Sequence, residues 1–446
     1  MYSQLINSLT LYFSFTFYLA MRIVPLLFAI TMVTLSARPV HAQSDSLRLS
    51  LPQAEQQFIQ KNFVLLAQKY NVNVAEAAKE QAKLWYNPNL FVETNLYNGY
   101  SNKLLPYGRN NDLYNPTGGV VNVQVQQIVS LVKLRSKLVQ LAETNISLQQ
   151  SAFQDLMRNV RFQLAQAFGN LATNQQKLTM LQLQGQQLAS LLEAFRAQLK
   201  LGVIAPYEVT RLELEQKNWE SDLTDLHAQI SQDEATLRTL LAVNGTTYII
   251  PVTEMTASKT AQPLNDLVNQ ALAQRPDLQL ADQQVTYNQR NFTYQKALAT
   301  PNLTLGADYQ HVGGPFPNYV GVQALIDLPI RNKNQGNIQA ARWGIDQAKE
   351  SRNAVGIQVE QEVVNAFQQY NQATQLQAKI TPEYLQSIQD ISKNATEDYT
   401  RRVIDLVSFI DKIRAYKDAQ MMLIDSSNRL YQAQQQLNYV TNSKVF

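Results

Sequence analysis

The chain has 446 residues, no cysteine and a formal net charge of only +3 at pH 7. The missing cysteine excludes disulfides, cysteine-ligated zinc and a thiol nucleophile, and the small net charge does not indicate a nucleic-acid partner. The three histidines are His41, His227 and His311, and none of them stands in a pattern typical of a hydrolytic triad or a metal site. We therefore expect a protein that is not an enzyme, with no cofactor and no bound metal.

The N-terminal segment predicts export from the cytoplasm. After Met21 come Arg22, an apolar stretch and small residues that end at Ala42. This order of a basic residue, an apolar core and a small-residue cut site is typical of a secretory signal peptide. We interpret residues 1–42 as that signal peptide, with Met21 as an alternative start of translation. A single N-terminal membrane anchor is the other interpretation, and a charge and a proline within its span disfavour it.

The sequence after the signal peptide has the pattern of a duplicated domain. The tripeptide PNL occurs at Pro88–Leu90 and again at Pro301–Leu303. Three further short motifs recur in the same order in both halves. A single match could arise by chance, but four matches in the same order indicate a duplication. Two copies are too few for a solenoid. We predict a first repeat over 43–243, a linker over 244–262 and a second repeat over 263–446.

Each repeat predicts the same series of helices. A helical pattern of about 35 residues comes first, over Leu51–Tyr86 and over Leu264–Ala299. After two short segments, a helix of about 65 to 70 residues, a tight turn and a helix of about 40 residues follow in each repeat. At 1.5 Å per residue the longest helix is roughly 100 Å long. Because the apolar stripes on these helices are narrow, we expect the helices to pack side by side as in coiled coils.

The short segments in each repeat predict β-hairpins, over 89–129 and over 302–328. They alternate apolar and polar residues and are rich in β-branched side chains. Segments of about ten residues with this alternation are typical of outer-membrane strands, and a soluble hairpin is the alternative. Four strands cannot close a barrel, so insertion into lipid requires several copies, and three copies supply twelve strands. The aromatic residues that would mark the membrane interfaces are Phe91, Tyr97, Tyr100, Tyr309 and Tyr319.

Several short sequence motifs, taken in order, resemble those of the outer-membrane efflux protein family, the TolC-like group. They include "RPDLQLADQQV" at Arg275–Val285, "DLPIRNKNQGNIQAA" at Asp327–Ala341, "LGVIAPYEVTRLE" at the first turn, and PNL before each hairpin. The resemblance covers essentially all of the sequence after residue 42. It implies a mainly α fold of duplicated long α-helical hairpins. It also implies four β-strands per chain that contribute to a trimeric, twelve-stranded outer-membrane β-barrel.

The resemblance implies an outer-membrane channel that is the exit duct of a tripartite efflux pump. Such a duct exports small solutes, metal cations or drugs, passively from the periplasm and the inner-membrane pump. The protein would be a homotrimer in the outer-membrane lipid of a Gram-negative-type bacterium, with a large periplasmic extension. Its partners would be a periplasmic adaptor and an inner-membrane RND-type transporter, and not a nucleic acid. The alternative is a periplasmic coiled-coil adaptor or scaffold that does not span the membrane.

The two hairpin tips, at 200–208 and 399–408, are the expected docking site for the adaptor. Gly202 relaxes the first turn and Pro206 begins the next helix, while Arg402 stands in the second tip where the first has glycine. An apolar Val-Ile pair recurs in both tips, which predicts the same surface on each. The expected docking residues are Gly202, Val203, Ile204, Pro206, Val403 and Ile404.

The resemblance also implies that the second-repeat hairpins close the periplasmic end at rest and carry an acidic constriction. The candidates are Asp398, Asp405 and Asp411, of which Asp405 lies in the turn itself. Rings of carboxylates attract cations and repel anions. The alternative is that these acids are solvated and pair with nearby arginines, namely Arg401, Arg402 or Arg414.

Overall fold

The computed structural model describes residues 46–99, 102–104, 119–243, 245–252, 262–312 and 318–446. The predicted signal peptide, His41, Tyr100 and most of the predicted linker lie outside the described residues. Residues 48–245 and 249–446 belong to one compact unit, which contains the helical hairpins and the main sheet.

The elements of the two halves follow the same order. The first half contains β1 (Ser46–Leu49), α1 (Leu51–Lys61), α2 (Phe63–Lys83), β2 (Asn89–Thr94), β3 (Tyr97–Asn98), β4 (Lys103–Leu104), β5 (Val120–Ser130), α3 (Leu134–Lys200) and α4 (Pro206–Leu241). The second half contains β6 (Tyr248–Pro251), α5 (Leu264–Gln274), α6 (Pro276–Leu298), β7 (Asn302–Val312), β8 (Asn318–Ile326), α7 (Gln335–Ala378), α8 (Pro382–Thr400) and α9 (Leu406–Thr441).

The first helix of each repeat is broken, so the prediction of one continuous helix in each was wrong. The breaks lie at Asn62, between α1 and α2, and at Arg275, between α5 and α6. Both residues have extended backbone. The Asn62 side chain accepts the N–H groups of two residues of α2, and Pro276 disfavours a helical conformation in the residue before it. The breaks are 213 residues apart (275 − 62), the same offset as between the two PNL words.

The long helix is continuous in the first repeat and interrupted in the second. α3 has 67 residues, which makes it roughly 100 Å long. The predicted counterpart is divided into α7 and α8 at residues 379–381, so that prediction was wrong for the second repeat. Pro382 begins α8, and the Thr381 hydroxyl caps it by accepting the Tyr384 N–H at 3.2 Å. No helix in the described part of the chain combines the length and apolarity needed to cross a bilayer.

Helix α3 is the central helix of the unit and packs against α2, α4, α6 and α9. Its buried stripe includes Leu164, Phe168 and Leu171, which recur on one face of the helix. Gly169 lets α9 cross closely, because a Cβ atom there would lie 2.4 Å from the Tyr431 ring. The helices therefore meet along narrow apolar seams, as the sequence predicts.

The main sheet has four antiparallel strands in the order β2-β5-β7-β8. Its register aligns Leu90, Val125, Ala307 and Val322 across one face. Val322 is 90% exposed, so no part of the described chain covers this apolar face at that point. The opposite face is largely polar, and β2 and β8 are the two edge strands. The predicted fold class, long duplicated helical hairpins with four strands per chain, is confirmed.

Candidate gate and docking site at the hairpin tips

The first tip closes with a backbone motif that requires a left-handed residue. The Val203 N–H donates to the Gln198 carbonyl at 3.0 Å, and the Gly202 N–H donates to the Leu199 carbonyl at 2.9 Å. This pair of bonds is a Schellman motif, which satisfies the last carbonyls of a helix. Its central residue is Gly202, with a φ of 72°. Glycine takes this conformation without steric cost.

The second tip repeats the motif without glycine. The Val403 N–H donates to the Asp398 carbonyl at 2.8 Å, and the Arg402 N–H donates to the Tyr399 carbonyl at 2.9 Å. Arg402 adopts a φ of 58°, the counterpart of Gly202. A left-handed conformation costs a non-glycine residue roughly 1–2 kcal/mol. The second tip therefore has the same turn as the first, at some cost in backbone strain.

Side chains of the second tip contact the first tip. The Arg402 guanidinium donates to the Val203 carbonyl at 3.3 Å. The Tyr399 hydroxyl donates to the Glu208 carboxylate at 2.8 Å, and its ring stacks on Phe195 with 5.2 Å between centroids. Burial raises the pKa of Tyr399, and the bond to Glu208 raises it further. Tyr399 therefore stays protonated and keeps donating across the physiological pH range.

Two ion pairs continue these contacts further along α4 and α9. Arg414 Nε lies 3.0 and 2.9 Å from the two carboxylate oxygens of Glu215, a side chain that is almost fully buried. Lys417 Nζ lies 2.7 Å from Asp222. The acid is on α4 and the base on α9 in both pairs. We call these ion pairs and the two tip contacts the inter-hairpin ladder, which joins Val203 to Arg402, Glu208 to Tyr399, Glu215 to Arg414 and Asp222 to Lys417.

The expected docking residues form a partly exposed apolar surface. Val203 and Val403 are exposed, whereas Ile204 and Ile404 are half-buried. Pro206 begins α4 and is exposed. Two further exposed apolar side chains in the first tip, which the sequence argument did not single out, are Leu201 and Tyr207.

The three candidate gate acids have different surroundings. Asp398 forms an ion pair with Lys412 at 3.2 Å. Asp405 is exposed and caps α9, since its carboxylate accepts the Ser408 N–H at 2.8 Å. That hydrogen bond holds the pKa of Asp405 below its usual value, so the carboxylate stays ionised. Asp411 is exposed on the first turns of α9. The structure therefore gives Asp405 a capping role besides any role in the constriction.

Sequence reasoning missed the inter-hairpin ladder, although one signal for it was present. The start of α4 is rich in acids, and the matching part of α9 carries several bases. Over 206–222 the acids of α4 are Glu208, Glu213, Glu215, Glu220 and Asp222, and over 406–422 the bases of α9 are Lys412, Arg414 and Lys417. Opposite charge bias on equivalent helices of two repeats favours contact between the helices.

A buried charge cluster joins the two repeats away from the tips. Arg275, which is 1% exposed, donates to Asp277 at 2.5 Å and to Glu362 at 2.6 Å. Arg158 lies 2.7 Å from Asp155 and 3.3 Å from Asp277. Each buried charge therefore has an opposite charge beside it, as burial requires. Within the described ranges, no group of three or more histidine and acidic side chains is arranged to hold a metal ion.

The fold, long helical hairpins with a four-stranded sheet, resembles that of solved outer-membrane channels. The channel CmeC of Campylobacter jejuni superposes with a TM-score of 0.73 at 12% identity, covering 88% of this chain and 86% of that one. The outer membrane protein VceC of Vibrio cholerae gives a TM-score of 0.71 at 15% identity, covering 89% and 97%.

Sequence comparison agrees with the fold. Residues 267–443 match the family described as outer membrane efflux protein. The cobalt-zinc-cadmium resistance protein CzcC of Cupriavidus metallidurans is 20% identical over 299 residues, which cover 67% of this chain and 71% of that protein. The resemblance drawn from the sequence is confirmed. The expectation that the protein is not an enzyme agrees with this similarity to outer membrane efflux proteins.

Proposed function

We propose that the protein is the outer-membrane exit duct of a tripartite efflux pump. Small solutes, metal cations or drugs, pass through it without energy input of its own. The observation that carries this proposal is the uncovered apolar face of the main sheet beside two long helical hairpins. A water-soluble protein covers such a face, because each exposed valine or leucine forgoes about 1.5–3 kcal/mol of burial.

The open edges of the sheet support a homotrimer. Strands β2 and β8 both end the sheet, and lipid tolerates no unpaired edge. Three copies joined β8 to β2 supply twelve strands, enough for a barrel with a lumen. The lipid then contacts the apolar face, while the polar face, with Gln124 and Asp308, lines the passage.

The edge helix α2 supports the same assembly. Phe63, Tyr70 and Val74 are each at least 66% exposed and lie on one stripe at spacings of seven and four residues. Such a stripe fits a lateral helical partner. In a ring of three, that partner is α7 of the next copy, which exposes Trp343 and Ile357.

The alternative, a periplasmic coiled-coil adaptor or scaffold, accounts for the hairpins but not for the sheet. A protein that stays in the periplasm would expose to water the row of apolar side chains between the two open sheet edges, which is unfavourable. The exit-duct function accounts for both features.

The tips support docking of a periplasmic adaptor that links the duct to an inner-membrane RND-type transporter. Both tips have the same backbone motif and an exposed valine, Val203 or Val403. A trimer presents six such tips. We further propose that Asp405 and Asp411, both exposed at the tip end of α9, line the closed end of the passage and favour cations. The metal-resistance relative favours a metal-cation cargo.

Membrane fractionation and bilayer recording test the duct function. We expect a detergent-extracted, heat-modifiable trimer in the outer-membrane fraction that forms pores in planar bilayers. A monomer that is soluble without detergent would falsify the proposal.

Asp405→Ala with Asp411→Ala should lower cation selectivity, and unchanged selectivity would remove these acids from the constriction. Val203→Asp with Val403→Asp should abolish cross-linking to the adaptor while pore formation persists, and undiminished cross-linking would rule out the tips as its site.

A further inference from the structure

A large groove lies where the helices pass into the sheet. It has a volume of about 1010 Å³ and is walled by the end of α2, the end of β5, the start of α3 and one face of α6. Trp85 in its wall is 72% exposed and Leu84 is 62% exposed. Its other apolar lining side chains include Val132, Leu134, Leu138 and Leu141. The groove is therefore an open, mostly apolar channel beside the strands.

The groove lies on the apolar side of α3. At 100° per residue, Leu138 and Leu141 fall on one side of the helix, whereas Glu143 and Ser147 fall on the other. The second side is polar, as the wall of an aqueous passage requires. In the proposed duct this polar side of α3 faces the passage, and the groove therefore opens away from it.

The groove is positively charged. Lys83, Lys133 and Arg135 are the charged residues in its lining. The Arg135 guanidinium lies 4.2 Å from the Trp85 ring centroid and donates to the Lys83 carbonyl at 3.2 Å, so the walls of the groove fix its position. The sequence contains no acidic residue over 81–92 or 119–142. Glu80 pairs with Lys83 at 2.6 Å and offsets one of these charges.

The start of α3 carries positive charge, which is unfavourable at the N-terminus of an isolated helix. Lys133 at the N-cap makes no side-chain capping bond, and the first turn contains no acidic residue. Arg135 and Lys137 add two further positive charges within the first turn. The N-terminus of a helix carries a partial positive charge and is stabilised by anions. This arrangement therefore favours an external anion beside Lys133 and Arg135.

We propose that the groove binds an anionic glycerophospholipid. An acyl chain occupies the apolar channel along Leu138 and Trp85, and the phosphate lies beside Lys133 and Arg135. The chemistry fits a phospholipid because the charged part and the apolar part adjoin, whereas a free phosphate would leave the apolar channel exposed to water. This inference rests on the proposed function, since the sheet must lie in a membrane for a lipid to reach the groove.

Lipid binding to the purified full-length trimer tests the inference. Native mass spectrometry in maltoside detergent would count bound dioleoylphosphatidylglycerol and, separately, dioleoylphosphatidylcholine. The first lipid should bind about thirtyfold more tightly to the wild type, the factor expected for two bases worth about 1 kcal/mol each beside an anionic lipid. Lys133→Gln with Arg135→Gln should reduce this preference to within a few-fold. The matched control, Lys69→Gln with Lys349→Gln, removes the same charge at exposed sites outside the groove and should keep it.

The outcomes separate this inference from the duct function. Equal affinity of the wild type for both lipids, or a preference that survives Lys133→Gln with Arg135→Gln, would overturn the lipid site. Leu138→Gln should weaken both lipids equally, and no effect would show that acyl chains lie elsewhere. Pore formation by each variant is recorded in parallel. A failed lipid site with intact pores refutes only the groove, whereas absence of pores and of membrane association in the wild type refutes the duct itself.

Discussion

Removing Arg414 should loosen the contact between the two hairpins of each chain. Glu215 is 3% exposed, and Arg414 is the base that contacts both of its carboxylate oxygens. Arg414→Ala leaves that carboxylate buried without its partner. Separation of α9 from α4 lets water reach Glu215, so the substitution favours the separated state.

The magnitude follows from the geometry of the pair. Breaking a buried ion pair by removing one partner costs about 3–5 kcal/mol. The Arg414 side chain is 46% exposed, so solvent already screens part of the attraction. An estimate of about 2 kcal/mol per chain remains, which corresponds to roughly a thirtyfold shift toward the separated hairpins.

Single-channel recording in planar bilayers measures the effect. Because the inter-hairpin ladder joins the two tips, Arg414→Ala should raise the open probability of the proposed trimeric channel and lower the temperature at which the trimer dissociates. Glu215→Leu with Arg414→Leu is the control, since replacing both charges by apolar groups leaves no unpaired charge and should cost much less. Wild-type open probability and thermal stability in Arg414→Ala would refute the reasoning, as would equal effects of the single and the double substitution.

Three further predictions concern the helices and the second tip. Burial alone would raise the pKa of Asp277, but the hydrogen bond from Arg275 and the adjacent positive charges outweigh burial and lower it. The resulting stabilisation is full above the unfolded pKa of about 3.9 and is lost as the pH falls through the lower folded pKa. Thermal melts below about pH 4 should therefore show a loss of stability in the wild type that is smaller in Asp277→Asn. Identical pH profiles of stability for the two proteins would contradict this. Arg402→Gly should be more stable than Arg402→Ala by roughly 1 kcal/mol in free energy of unfolding, measured by thermal melts. Both substitutions lose the side-chain contact, but only glycine removes the left-handed strain. The reverse order would rule out strain at this residue. Gly169→Ala places a Cβ atom 2.4 Å from a buried tyrosine ring and should cost about 1–3 kcal/mol in denaturant unfolding, whereas Gly336→Ala, with nothing within 4 Å, should be neutral or slightly stabilising. Equal effects at the two glycines would show that the close crossing of α3 and α9 does not constrain the first.

The sequence was sufficient for the fold class because the signals involved are local or repeated. Recurrence of the Val-Ile pair at Val203 and Val403 located both turns, and strict alternation located the strands. The breaks at Asn62 and Arg275 were overlooked for a physical reason. The apolar periodicity continues across both residues, so only cap chemistry and the proline after Arg275 mark the ends of the helices.

The inter-hairpin ladder could not be predicted in the same way. Glu215 and Arg414 are 199 residues apart, and helical periodicity fixes only contacts three and four residues away. The same limit applies to Asp405. Its position in the turn suggested a gate, whereas the backbone N–H of Ser408 shows that it also ends the turn as a helix cap.

The two edges of the main sheet have a genetic consequence. In the proposed trimer the joint between copies is head to tail, because β2 and β8 are different strands, and a closed ring needs all three joints. A chain altered only at β2 can still pair through β8. It therefore enters rings together with normal chains and leaves one joint unpaired. When normal and altered chains are made in equal amounts and mix at random, only about one ring of three in eight is free of the alteration. Such an allele should be dominant over the normal gene, whereas an allele that prevents folding should be recessive.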